Sequence, residues 1–227
     1  MSIIAHLTPP ALARAIVRAL PIQRGQSIVE PHVGSGAFVD ALARPWVEGD
    51  PDVLPSARPR APGLQVQVGD LNPDATGLLP RQEVIDAFGH FRAYRGVDFL
   101  TTNPWSPPDW IVGNCPWGNK KTGDLSEQHV RRSFDVIRPG GSIVYLLQGG
   151  FTFGQGRYDR IWRSGSGVPR PFHVWHVVGR PNFETINDPS PKKGTEDGGN
   201  NKYDYLAIWW NTAVPDARTT LDWLVWK

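Results

Sequence analysis

The pattern of apolar and polar positions divides the chain into short helices and strands. Residues 12–20 carry apolar side chains at helical spacing, with Thr8 as N-cap and Pro9 or Pro10 suited to the first turn. Residues 27–30 form a short apolar strand closed by Pro31, and Gly34-Ser35-Gly36 makes a tight turn into a helix over 37–44 that Pro45 ends. Residues 45–63 are proline-rich without periodicity and read as a loop insertion. A strand over 64–68 leads into Gly69-Asp70, a helix spans 81–94, and a strand spans 109–112. A helix over 128–137 stops at Pro139-Gly140-Gly141, and a strand follows over 142–147. Strands over 174–178 and 203–210 are joined by a loop rich in Gly, Lys and Asn, with no helix between them, so they form an antiparallel pair. Strands alternating with helices predict an α/β fold, with a parallel sheet covered on both faces. Ligands bind such sheets beyond the carboxyl ends of the strands. That rule directs attention to residues 30–36, 70–72, 98–99 and 114–117.

Composition narrows the class. A length of 227 residues suits one domain, here 1–227, with insertions near 45–63 and 185–202 and no separate target-recognition domain. Twenty-four basic against 22 acidic residues leave a net charge of +2, which permits a nucleic-acid partner without demanding one. One cysteine excludes an intrachain disulfide framework and a multi-cysteine zinc site, so an intracellular, cytoplasmic setting is expected. No apolar run reaches the roughly 20 residues of a membrane span, and the start lacks the basic-then-apolar pattern of a secretory signal. Glycine and proline are abundant, but ten Trp and nine Phe argue for ordered loops on a compact core.

Four stretches carry candidate chemistry. In Glu30-Pro31-His32-Val33-Gly34-Ser35-Gly36-Ala37-Phe38 the two glycines allow a sharp turn and close approach of a ligand, or serve only the strand-to-helix turn. Position 39 is Val, so the three-glycine nicotinamide fingerprint is absent. Val68-Gly69-Asp70-Leu71 places a carboxylate at a strand end, where one carboxylate can accept both ribose hydroxyls; Glu48 and Asp50 compete for that role. Asp98-Phe99 reads either as a turn aspartate or as a polar group at a purine edge with Phe99 flanking its face. In Val112-Gly113-Asn114-Cys115-Pro116-Trp117 a buried strand ends in Asn, then Pro, then an aromatic. Methyl transfer to an amine on a planar carbon needs that arrangement. Its nitrogen lone pair is delocalised, so two carbonyl acceptors, the Asn114 side chain and the Cys115 backbone, favour pyramidal nitrogen and its developing charge. Trp117 offers a face for a base. A capped strand followed by a rigid turn is the structural alternative. Asn103-Pro104-Trp105 and Ser106-Pro107-Pro108 each lack one part of the pattern.

In these residues the sequence resembles class I S-adenosylmethionine-dependent methyltransferases of the amino-methylating branch, and among them phage and prophage adenine-N6 DNA methyltransferases. The resemblance runs over about residues 8–210 and includes Arg138-Pro139-Gly140-Gly141 and Arg180-Pro181-Asn182-Phe183. It implies a Rossmann-like, doubly wound, mostly parallel seven-stranded sheet with a terminal antiparallel pair. It implies S-adenosylmethionine as cofactor, bound by Thr8, Pro9, Glu30, Pro31, Gly34, Gly36, Phe38, Asp70, Leu71, Asp98 and Phe99, and catalysis by Asn114, Cys115, Pro116 and Trp117. The family has proline where this chain has Cys115, a change that keeps the backbone carbonyl. The substrate implied is the N6 amine of adenine in DNA, in a bacterial host or phage. The same motif serves RNA or a protein glutamine, and a silent fold that only binds nucleic acid is a further alternative.

Arg157, Arg160, Arg163 and Arg170 are interleaved with Tyr158, Trp162 and Phe172, a mixture suited to phosphates and splayed bases; a solvated loop with inward aromatics is the other reading. Lys192, Lys193 and Lys202 extend the basic character. His173 and His176 face opposite sides of a strand and so form no metal pair; neither a metal nor a membrane is expected. Residues 219–226 pack on the core or cover a partner.

Overall fold

A computed structural model describes residues 5–44, 63–102, 106–117, 124–163, 165–186, 204–215 and 217–226. Glu48, Asp50, Lys192, Lys193, Lys202 and the segment 103–105 lie outside them. The described residues open with strand β1 (Ala5–Leu7) and helix α1 (Pro10–Arg18), followed by β2 (Ser27–Glu30) and α2 (Ala37–Arg44). Next come β3 (Gln65–Asp70), a 3-10 turn (Thr76–Leu78), α3 (Gln82–Asp86), β4 (His90–Arg95) and β5 (Trp110–Gly113). Helix α4 (Leu125–Val136) leads to β6 (Ser142–Gln148), then a short helical turn, α5 (Gln155–Arg157), and a π-helical turn (Tyr158–Trp162). Strands β7 (His173–Val177), β8 (Glu184–Ile186), β9 (Tyr205–Asn211) and β10 (Thr220–Leu224) complete it.

Among the described residues the main sheet has eight strands in the order β10-β7-β9-β6-β5-β2-β3-β4. All neighbours are parallel except β9, which runs antiparallel to both β6 and β7. The expected doubly wound sheet and late antiparallel pair are therefore present. The central strands are buried on both faces, and alternate residues feed two cores. Ile28, Val66, Val68, Val112 and Val144 meet α1 and α2 residues such as Leu12, Ile16, Phe38 and Leu42. Val29, Ile111, Ile143, Tyr145 and Leu147 meet Val130 and Val136 of α4. Strand order reverses between β2 and β5, which opens a crevice at their carboxyl ends.

Three expectations need correction. The helix expected over 81–94 is α3, only Gln82–Asp86, followed by strand β4. Gly89 and His90 both donate backbone N–H to the Leu64 carbonyl (3.0 and 3.2 Å), and this draws the chain into register beside β3. The polar side chains His90, Arg92 and Arg95 suit a sheet edge, where an apolar strand would invite aggregation. The sheet has eight strands, not seven, because residues 220–224 pair with β7 in parallel. Thr8 is not the cap of α1: Pro9 occupies the N-cap, Pro10 follows, and no side chain caps the helix. Strand β1 pairs antiparallel with β8 in a separate two-stranded sheet that no local pattern announced. Among the described residues, no helix is long and apolar enough to cross a membrane.

Candidate active site

The crevice is lined by the turns and loops at the carboxyl ends of the central strands. After β2, the glycine turn is tied to β3 at two points: Val33 N–H donates to the Gly69 carbonyl (3.0 Å) and Gly34 N–H to Asp70 Oδ2 (2.9 Å). Asp70 Oδ1 accepts the Asn72 N–H at 2.8 Å. Both carboxylate oxygens of Asp70 thus brace backbone, and each keeps a further lone pair. Burial raises the Asp70 pKa despite these donors. Gly34 (φ 51°) and Gly36 (φ 85°) occupy the left-handed region. The turn also packs on Gly77, where an added Cβ would lie 2.5 Å from Gly36 N. No sequence signal marks this contact, since Gly77 is an isolated glycine outside any motif. Leu71 stands half exposed (50%) at the mouth, whereas Phe38 is a core residue beneath the turn.

Glu30 is 2% exposed. Its carboxyl accepts the Val39 N–H, yet Oε2 has no partner among the described residues. Burial, and secondarily the Asp70 charge, push its pKa well above the usual carboxylate range. Beside it is Gly113, where a Cβ would lie 3.8 Å from Glu30 Cγ. The glycine-turn half of the crevice therefore adjoins the strand end that carries Asn114. Pro31 is buried next to Glu30.

Asp98 accepts the Leu100 N–H (2.9 Å), which makes it a turn aspartate, and Phe99 is buried. Phe99 stands edge-on to His32 (5.5 Å) and stacks with His129 (6.0 Å). Both ring nitrogens of His32 are buried without partners among the described residues. Burial, then the neighbouring His129, lower its pKa, so the ring is neutral.

At the end of β5, Asn114 Nδ2 donates to the His6 carbonyl (3.2 Å) and to Thr8 Oγ1 (3.1 Å), while Trp117 Nε1 donates to Asn114 Oδ1 (3.1 Å). The His6 ring stacks on Trp117 (4.6 Å, 15°), and Phe183 and Tyr205 close around the indole at 5.2 and 5.3 Å. Cys115 is buried in the core beneath α4, and burial pushes its thiol far above its ordinary pKa, so no thiolate is available as a nucleophile. Pro116 is exposed, and its carbonyl accepts from Ser126 Oγ at 3.2 Å, which ties the loop to the start of α4. Asp124 caps that helix by accepting the Glu127 N–H (3.1 Å).

The four arginines divide into two pairs. Arg157 is paired with Asp124, donates to the Gly150 carbonyl (2.8 Å) and lies over the Phe151 ring (4.8 Å). Arg160 is paired with Glu127 at 2.8 Å. Both lash the 155–162 segment to the first turn of α4. Arg163 and Arg170 are exposed and form no ion pair among the described residues. His173 and Thr220 join β7 to β10, and no cluster of three or more metal-ligating side chains exists among the described residues.

The seven strands β7-β9-β6-β5-β2-β3-β4, with β9 antiparallel and a cradle at the reversal point, match the doubly wound sheet that the resemblance to class I S-adenosylmethionine-dependent methyltransferases implied, and solved structures share this fold. A methyltransferase of that class from Listeria monocytogenes superposes with a TM-score of 0.61 at 11% identity, covering 96% of this chain and 64% of the other. The modification subunit of a type I restriction enzyme from Vibrio vulnificus gives 0.61 at 12% identity, covering 93% and 45%. An S-adenosylmethionine-dependent O-methyltransferase from Thermotoga maritima gives 0.53 at 12% identity, covering 94% and 68%. This chain thus spans less than two thirds of the first two proteins. No protein-family model matches the sequence, and neither does any curated protein. The chain has the class I methyltransferase fold, extended by β10 at one edge.

Proposed function

We propose that this protein transfers a methyl group from S-adenosylmethionine to the exocyclic N6 amine of adenine in DNA. The observation that carries this reading is the Asn114 amide at the end of β5, beside the glycine turn, held with its oxygen on the indole side and its nitrogen turned to the 6–8 segment.

The crevice suits the cofactor. The buried Oε2 of Glu30, without a partner among the described residues, provides an acceptor that an ammonium group would hold in its ionised form, and a buried carboxylate gains most from a charged donor. Gly34 and Gly36 carry no side chain of their own and hold the turn in the left-handed conformation, which favours a close approach of backbone to ligand. Asp70 retains lone pairs for ribose hydroxyls, Leu71 offers an exposed apolar contact for a purine, and Asp98 and Phe99 close that side. S-adenosylmethionine supplies an electrophilic methyl group on a sulfonium. Everything else falls to the chain. Asn114 Oδ1 and the Cys115 carbonyl accept the two N–H groups of the amine, and this favours a pyramidal nitrogen and stabilises its growing positive charge. Trp117 gives a stacking face to a base flipped out of the helix, which requires the His6 ring to leave that face. Arg163 and Arg170, with the lysines at 192 and 193, contact phosphates, while Arg157 and Arg160, ion-paired with Asp124 and Glu127, brace the 155–162 segment beside them.

The modification-subunit neighbour acts within a restriction system, and that likeness is in keeping with a DNA substrate. The test is incubation with methyl-labelled S-adenosylmethionine and DNA, RNA or protein, followed by digestion and identification of the labelled product. N6-methyladenine from DNA supports the proposal. Label confined to RNA, to glutamine or to cytosine overturns the substrate, and no label in any acceptor points to a silent fold.

A further inference from the structure

We propose that Thr8 is a positioning residue for methyl transfer: its hydroxyl holds the Asn114 amide in the direction that the His6 carbonyl and the Trp117 indole N–H set, so that it presents an oxygen lone pair, and no N–H, to the methyl acceptor. The inference rests on the methyltransferase reading above and names what selects the acceptor's chemistry.

A side-chain amide has two donor hydrogens and two oxygen lone pairs. Chemistry assigns which end is which. The His6 carbonyl can only accept, and the Trp117 indole N–H can only donate, so Nδ2 faces His6 and Oδ1 faces Trp117. Thr8 Oγ1 takes the other Nδ2 hydrogen. Among the described residues both donors and one lone pair are therefore engaged, and one lone pair on Oδ1 remains. An acceptor that brings an N–H is matched by this site; one that offers a carbonyl oxygen meets an oxygen. Turned end for end, the same amide would present its NH₂ and oppose the amine hydrogens that the reaction needs to bind.

Thr8 is placed for this task by its surroundings. It is 7% exposed, and Pro9 is the N-cap of α1, so the helix makes no use of the Thr8 hydroxyl. The pairing of β1 with β8 fixes the strand that brings His6 and Thr8 to the end of β5, which is 106 residues away in the chain from Thr8. Nothing in the local sequence joins the two, and the resemblance to known methyltransferases implied a cofactor contact for Thr8 instead.

The test compares Thr8→Val, which keeps the shape and removes the hydroxyl, with Thr8→Ser, which keeps the hydroxyl. In steady-state methyl transfer to DNA by the full chain, Thr8→Val lowers kcat by roughly 3- to 10-fold, the scale of one lost orienting hydrogen bond, with KM for S-adenosylmethionine and for DNA unchanged. Thr8→Ser restores kcat. Equal losses in both variants, or a loss confined to KM for S-adenosylmethionine, overturns the proposal. A second readout needs no turnover. The Asn114 side-chain NH₂ resonances of ¹⁵N-labelled protein are identified by their disappearance in Asn114→Asp. Thr8→Val shifts them and speeds their exchange with water, whereas Thr8→Ser does not. Unmoved resonances in Thr8→Val overturn the positioning role even in a chain that methylates nothing, and absence of methyl transfer by the wild type overturns only the reading on which its catalytic meaning rests.

Discussion

Replacing Glu30 by Gln tests the cofactor half of the crevice. This carboxyl is buried with one oxygen unpartnered among the described residues, and its pKa is raised by burial and by Asp70. A carboxyl whose folded pKa is raised contributes stability that is complete below its unfolded pKa and is lost as pH rises through the folded one. Glu30→Gln cannot ionise, so its melting temperature gains on the wild type as pH climbs above about 4.5. Cofactor binding has the opposite sign. An ammonium beside Glu30 favours the carboxylate, so binding at a pH where the group is protonated releases a proton. A hydrogen bond to a charged group contributes about 1.5–3 kcal/mol net. Its loss in Glu30→Gln therefore weakens S-adenosylmethionine binding roughly 10- to 150-fold. Isothermal titration between pH 5 and 8, in two buffers of different ionisation enthalpy, reads both effects. Affinities within twofold of each other at pH 8, with no buffer-dependent proton release in the wild type, would refute the reasoning.

Four further outcomes are expected. Asn114→Ala lowers kcat by on the order of 10²–10³ while leaving S-adenosylmethionine affinity intact by titration, since only the acceptor's carbonyl partner is lost. Cys115→Ala retains methyl transfer and loses about 1 kcal/mol of stability in urea titration, because its thiol is a small buried apolar group and only its backbone carbonyl acts. Trp117→Phe keeps an aromatic face but drops the hydrogen bond to Asn114 Oδ1, so kcat falls by roughly 2- to 10-fold, whereas Trp117→Ala also gives up about 1–3 kcal/mol of base stacking, read as weaker DNA binding. Arg163→Ala and Arg170→Ala each lower the salt slope of DNA binding by about one unit with little change in melting temperature; Arg157→Ala instead lowers the melting temperature, because it takes the cation away from half-buried Asp124 and from the Phe151 ring.

Strands β2, β3, β5, β6, β7 and β9 were legible in the sequence, as were the turn at Gly34–Gly36 and the position of Asn114 at a strand end. Each depends on signals a few residues long: a β-rich apolar run, a glycine pair, a proline stop. The sheet's doubly wound order followed from how strands and helices alternate. Tertiary structure decided what depends on partners distant in the chain. Residues 90–95 are polar enough to pass for the end of a helix, and only the Leu64 carbonyl and the edge of β3 make them a strand. Residues 220–224 became an eighth strand by pairing with β7. Arg157 and Arg160 look like unpaired cations in a basic loop until Asp124 and Glu127 arrive from the start of α4. The orientation of Asn114 belongs to the same class. Its identity and location are local facts, but which end of the amide faces outward is set by His6 and Thr8 from one end of the chain and by Trp117 from the other side. Hydrogen-bond direction is a property of the assembled contacts, and no window of sequence contains them all.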